Sequence, residues 1–65
     1  MTTKFLLIPE SGSSRFKLRE EGQEWERECR SIDEALFYAR SLPDSDGKPL
    51  FVLNQFGKPL AQMTV

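Results

Sequence analysis

Apolar positions along this chain change their spacing twice, and those changes divide it into strands, a helix and strands again. Residues 4–9 form an apolar run, stopped by Pro9 and the Ser11-Gly12-Ser13-Ser14 turn cluster. Arg15-Phe16-Lys17-Leu18-Arg19 then alternates strictly, with Phe16 and Leu18 on one face. Glu20-Glu21-Gly22-Gln23 reads as a turn, and residues 24–30 alternate again.

Between Arg30 and Pro43 the period becomes helical. Ser31-Ile32-Asp33-Glu34 matches a capping box, in which the serine oxygen accepts the Glu34 N–H. Asp33 and Glu34 suit the positive end of the helix dipole, and Arg40 suits its last turn. Ile32, Ala35, Leu36 and Ala39 share one face, with Leu42 near its edge. Pro43-Asp44-Ser45-Asp46-Gly47 ends the helix.

The C-terminal third reads as a second hairpin. Residues 50–53 are a continuous apolar strand, Asn54-Gln55-Phe56-Gly57 holds the turn, and residues 59–64 return. Its register stays open: a two-residue turn pairs Leu53 with Leu60, and a bulged turn shifts this by one. The expected fold is α+β, a single antiparallel sheet in the order β-β-β-α-β-β packed on one helix. The expected core is Phe5, Leu7, Phe16, Leu18, Trp25, Ile32, Ala35, Leu36, Ala39, Val52 and Leu60.

Size and composition narrow the function. Sixty-five residues make one small domain, 1–65, near the lower limit for folding without a staple. Cys29 is the sole cysteine and histidine is absent, so neither an internal disulfide nor a zinc set is available from these residues. Oligomerisation and tight packing are the remaining aids. The short run Phe5-Leu6-Leu7-Ile8 is too brief for a signal-peptide core or a membrane span. With one thiol, that gives the expectation of a reducing, cytoplasmic setting.

A net charge of −1 carries no surplus of positive charge for phosphates. Arg15, Lys17 and Arg19 alone resemble a basic stripe for a nucleic acid. With the turn centred on Glu21-Gly22, however, Arg19 faces Glu24, Lys17 faces Glu26 and Arg15 faces Glu28. Leu18 then meets Trp25, and Phe16 meets Arg27, on the other face. A self-neutralising, solvated face is the preferred reading, and nucleic-acid binding through Arg15, Lys17 and Arg19 is the alternative.

A sheet covered on one side alternates apolar and polar residues, yet 5–8 and 50–53 are apolar on both faces. Something has to cover the second face: sheet curling, a second copy of the chain, or another protein. The candidate interface is Leu6, Ile8, Phe51, Leu53 and Phe56. The expected function is a non-catalytic protein-interaction module that self-associates through that face as a homodimer.

Other chemistry reads more plainly as structure. Cys29 lacks a histidine partner to activate it and fits a half-buried structural thiol. Glu20, Glu21, Glu24, Glu26 and Glu28 sit on an exposed hairpin, where solvation outweighs acid–base work. Asp44-Ser45-Asp46-Gly47 is a turn without the closing glutamate of a calcium loop. Trp25 is expected against Leu18 and the helix, with Phe37 and Tyr38 off the helix stripe and lapping the sheet edge. No glycine-rich phosphate loop occurs. The expectation is therefore no enzyme activity, no cofactor or metal, no small-molecule substrate and no membrane partner.

Several segments resemble a group of short bacterial domains of unknown function: Leu7-Ile8-Pro9, Phe16-Lys17-Leu18-Arg19-Glu20-Glu21-Gly22, Asp33-Glu34-Ala35 with Ala39-Arg40 and Leu42, and Leu50-Phe51-Val52-Leu53 with Gly57. The tryptophan typical of the start of that group's second strand is missing here, and Trp25 sits one strand later. The resemblance implies a similar fold and carries no binding residues with it.

Overall fold

The computed structural model describes residues 3–65. Five strands and one helix follow in chain order: β1 (Phe5–Pro9), β2 (Phe16–Glu20), β3 (Glu26–Cys29), α1 (Ile32–Ser41), β4 (Pro49–Leu53) and β5 (Pro59–Thr64). They form an α+β fold with one five-stranded sheet in the spatial order β3-β2-β1-β4-β5.

The sheet is mixed rather than antiparallel throughout. β1 and β4 run parallel, with Phe5 beside Leu50, Leu6 beside Phe51 and Leu7 beside Val52. The cause is the helix. A helical crossover returns the chain to the end of the sheet from which the previous strand started, so β4 runs in the direction of β3. Two hairpin reversals give β1 that direction as well. The two doubly apolar strands are thus adjacent interior strands, β1 between β2 and β4, and β4 between β1 and β5.

α1 begins as its sequence specifies. Ser31 adopts an extended backbone, and its Oγ accepts from the Glu34 N–H at 3.1 Å. Loss of such a cap costs about 1 kcal/mol. The helix packs on β1 and β3 through Ala35 and Ala39, both fully buried. Leu42 closes the helix, its N–H donating to the Ala39 carbonyl at 3.2 Å.

The core between helix and sheet contains Phe5, Leu7, Leu18, Cys29, Ala35, Ala39, Leu50, Val52 and Val65. Phe16, Trp25, Ile32, Leu36, Tyr38, Leu42 and Met63 pack partly buried around it. Each fully buried Phe or Leu contributes about 1.5–3 kcal/mol relative to exposure. Leu60 departs from expectation: it is 68% exposed. The ladder between β4 and β5 slips by one residue at Leu53, which pairs with Pro59 while Val52 pairs with Ala61. The slip displaces Leu60, and α1 lies over the β1 and β3 side, leaving β5 uncovered.

The β2–β3 hairpin also departs from the expected register. Lys17 pairs with Glu28, Leu18 with Arg27, Arg19 with Glu26 and Phe16 with Cys29, a register two residues from that of a tight turn extended directly into strand. The tight turn itself forms, with the Gln23 N–H donating to the Glu20 carbonyl at 3.1 Å and Gly22 at φ 82°. The ladder restarts only at Glu26 because Trp25 leaves it to pack near Phe5 and Tyr38, with ring centroids at 6.4 and 5.9 Å. A slip of two keeps every side chain on its expected face. Tyr38 completes this cluster beneath the Arg27 guanidinium, 4.2 Å away, whereas Phe37 points outward and is 79% exposed.

Candidate interaction surface

The register assigns each strand residue to one of two sheet faces. Phe5, Leu7, Leu18, Cys29, Leu50 and Val52 face the helix and are buried. The residues between them, Leu6, Ile8, Lys17, Arg19, Glu26, Glu28, Phe51 and Gln62, therefore face the open side. No element of the described chain packs across that side.

Leu6 and Phe51 meet across the parallel ladder at the centre of the open face. Ile8 extends the apolar strip along β1, and Leu53 extends it along β4. All four are half-buried. Part of their cover comes from neighbouring stems: the Lys4 ammonium stands 5.5 Å from the Phe51 ring centroid. The structure thus brings together four of the five residues expected at an interface. Phe56 lies apart, at the tip of the β4–β5 turn and 77% exposed. It lines a cleft of about 840 Å³ with Leu53, Leu60, Phe16 and Ile32, between the β1–β2 and β4–β5 turns. The Asn54 carboxamide shapes that turn by accepting from the Phe56 and Lys58 N–H groups at 2.8 and 2.9 Å.

The basic stripe lies beside the apolar strip and is matched by glutamates. Arg15 donates to Glu28 at 2.6 Å. Lys17 lies 3.6 Å from Glu26 and 3.9 Å from Glu10, and Arg19 lies 3.8 Å from Glu26. Two of these pairings join the expected partners. Arg19 takes Glu26 in place of Glu24 because of the two-residue slip. Such exposed pairs each contribute about 0–1 kcal/mol. Their larger consequence is that opposite charges interleave across this flank and cancel its field.

Among the described residues, two titratable groups are shifted. Lys48 donates to Glu20 at 2.8 Å, and Thr3 donates to the same oxygen at 2.8 Å. The Lys48 bond is the main reason that the Glu20 carboxyl is held below its ordinary value, against a smaller opposing effect of burial. This pair ties the end of β2 to the start of β4 across β1. The sequence groups Glu20 with the exposed hairpin glutamates, whereas its side chain is only 12% exposed in this pair, which depends on the parallel placement of β4. Cys29 is fully buried, and burial, followed by the Glu34 charge, raises its thiol against the weaker opposing pull of Arg27. A raised thiol is a poor nucleophile at neutral pH.

Among the described residues no cluster of three or more His, Cys, Asp or Glu side chains is placed to hold a metal ion. No helix among them is long and apolar enough to cross a membrane. No family model, curated protein or solved structure matches the chain.

Proposed function

We propose that this chain is a non-catalytic protein-interaction module that self-associates through the open face of its sheet. One observation carries the reading: Leu6, Ile8, Phe51 and Leu53 form a continuous apolar strip across the two central strands, on the side opposite the helix. Stacked sheets pack about 10 Å apart by interdigitating such inner faces. A second copy supplies a matching strip under two-fold symmetry, because an isologous interface places the same patch on both sides.

The charged flank favours a second copy over a phosphate backbone. Arg15, Lys17 and Arg19 each lie within ion-pair distance of a glutamate, so the flank offers little net field to a nucleic acid. The same interleaving of signs lets two flanks approach without net repulsion. The nucleic-acid alternative rests on the stripe alone.

Light scattering on the purified chain tests this reading. Phe51→Lys and Leu6→Lys each place an ammonium in the strip and should halve the mass of the assembly or drive it out of solution. Unchanged mass and solubility in both variants would remove the basis of the proposal.

A further inference from the structure

The two edges of the sheet differ in a way that identifies a second contact. At one edge β3 is short and carries charge at Glu26, Arg27 and Glu28. Charged, short edges are how native sheets block strand addition. At the other edge β5 runs for six residues, Pro59-Leu60-Ala61-Gln62-Met63-Thr64, without a charged side chain. It is exposed along most of its length, and the helix lies over β1 and β3 instead.

Its backbone is turned to accept a strand. The Val65 N–H donates to the Lys48 carbonyl at 2.9 Å, and the Val65 carbonyl accepts from the Gly47 N–H at 3.1 Å. Val65 thus directs both polar groups toward the β4 side. Alternation along an antiparallel strand makes Met63 and Ala61 do the same and turns those of Thr64 and Gln62 outward.

We infer that β5 pairs antiparallel with β5 of a second copy, about a two-fold axis at Gln62, joining two sheets edge to edge. The side-chain pattern is self-complementary in that register. Gln62 opposes Gln62 of the second copy on the open face, with the two residues exchanging N–H···O bonds. Ala61 opposes Met63 of the second copy, and Met63 opposes its Ala61, so a small and a large side chain meet twice on the helix face. No like charges meet anywhere along the seam. Pro59, which has no N–H, and the register slip at Leu53 end the pairing at one side.

The contact is isologous and closes on itself, leaving the charged β3 edges outermost, so it joins two copies without building a fibre. Its axis stands perpendicular to the sheet, whereas face-to-face stacking uses an axis in the plane of the sheet. Both contacts therefore fit in one assembly. Where the face contact proposed above also forms, four chains result, two ten-stranded sheets stacked on their apolar strips.

Light scattering at matched chain concentrations separates the two contacts. The wild-type chain should give about 30 kDa, four times its 7.5 kDa. Gln62→Pro removes the N–H that strand alternation turns away from β4 and should give about 15 kDa. Phe51→Lys should also give about 15 kDa, and the double variant about 7.5 kDa. A folded Gln62→Pro with the wild-type mass overturns the edge contact and leaves the face contact standing. Wild-type mass in Phe51→Lys does the reverse. Should Gln62→Pro fail to fold, Gln62→Lys and Gln62→Glu take its place. Each alone should halve the mass by setting like charges opposite one another, and an equimolar mixture should restore it. Wild-type mass in both charge variants overturns the proposal.

Discussion

Leu6 stands beside Phe51 across the parallel β1–β4 ladder, one residue from Leu7, which lies beside Val52 on the opposite face. Leu7 is fully buried under the helix and Leu6 is half-buried on the open side. Neighbours in sequence thus take different places, Leu7 in the core that holds the fold and Leu6 in the strip proposed above for assembly.

Truncation should separate those purposes. Leu7→Ala removes a fully packed side chain and should lower unfolding stability by roughly 2–5 kcal/mol. Leu6→Ala should leave the fold largely intact while weakening association. Urea unfolding at several chain concentrations reads both effects, since association makes the midpoint rise with concentration. That rise should shrink in Leu6→Ala and persist in Leu7→Ala.

Acid should loosen the Glu20–Lys48 tie. The folded chain holds the Glu20 carboxyl below its ordinary 4.5, so protonation favours the unfolded chain. The stability from this pair is present above that value and is lost as pH falls through the lower, folded one. Glu20→Gln should cost about 1 kcal/mol at neutral pH and flatten the acid limb of stability against pH. An unchanged limb, measured by denaturation from pH 7 to acid, would argue against the pair.

How far the fold was legible follows from how local each signal is. The helix was legible to its cap because Ser31, Glu34 and the Ile32–Ala39 stripe interact within two turns. The faces of β2 and β3 were legible because period two survives a two-residue slip. The slip itself was not, since it depends on Trp25 reaching Phe5, twenty positions away, and Tyr38, thirteen away. The parallel pairing left one sequence trace, the unbroken apolar runs at 5–8 and 50–53, which read equally as strands awaiting a cover. Leu60 lies outside the core because the ladder slips at Leu53 and because the ten helical residues cover β1 and β3, neither of which is visible in the sequence. The Leu6, Ile8, Phe51 and Leu53 strip was legible because it needs only strand alternation. The β5 edge was not, since only the strand order puts β5 outermost.

The Cys29 thiol should resist modification in the folded chain. It is fully buried, donates toward the Arg27 carbonyl at 3.7 Å and is raised above its ordinary 9.0 by burial. Reaction with a thiol reagent at neutral pH should proceed only as the chain unfolds and accelerate with urea. Because the folded thiol binds its proton more tightly, its contribution to stability is intact below that ordinary value and falls as pH rises past it. Rapid labelling without denaturant would contradict the burial.

Removing the helix cap should register on stability alone. Ser31→Ala deletes the acceptor for the Glu34 N–H and should cost about 1 kcal/mol, while Ser31→Asp should retain most of it. Urea midpoints measure both. Solution mass should stay at the wild-type value, because Ser31 lies in neither proposed contact.

The open-face contact is tested most directly by isotope-filtered NMR on an equal mixture of labelled and unlabelled chains. This records only proximities between different copies. Cross-peaks from the Phe51 ring to the Leu6, Ile8 and Leu53 methyls of the other copy are the expected result. A chain that shows no such cross-peaks at those four residues, while still having the mass of an assembly, would contradict the account.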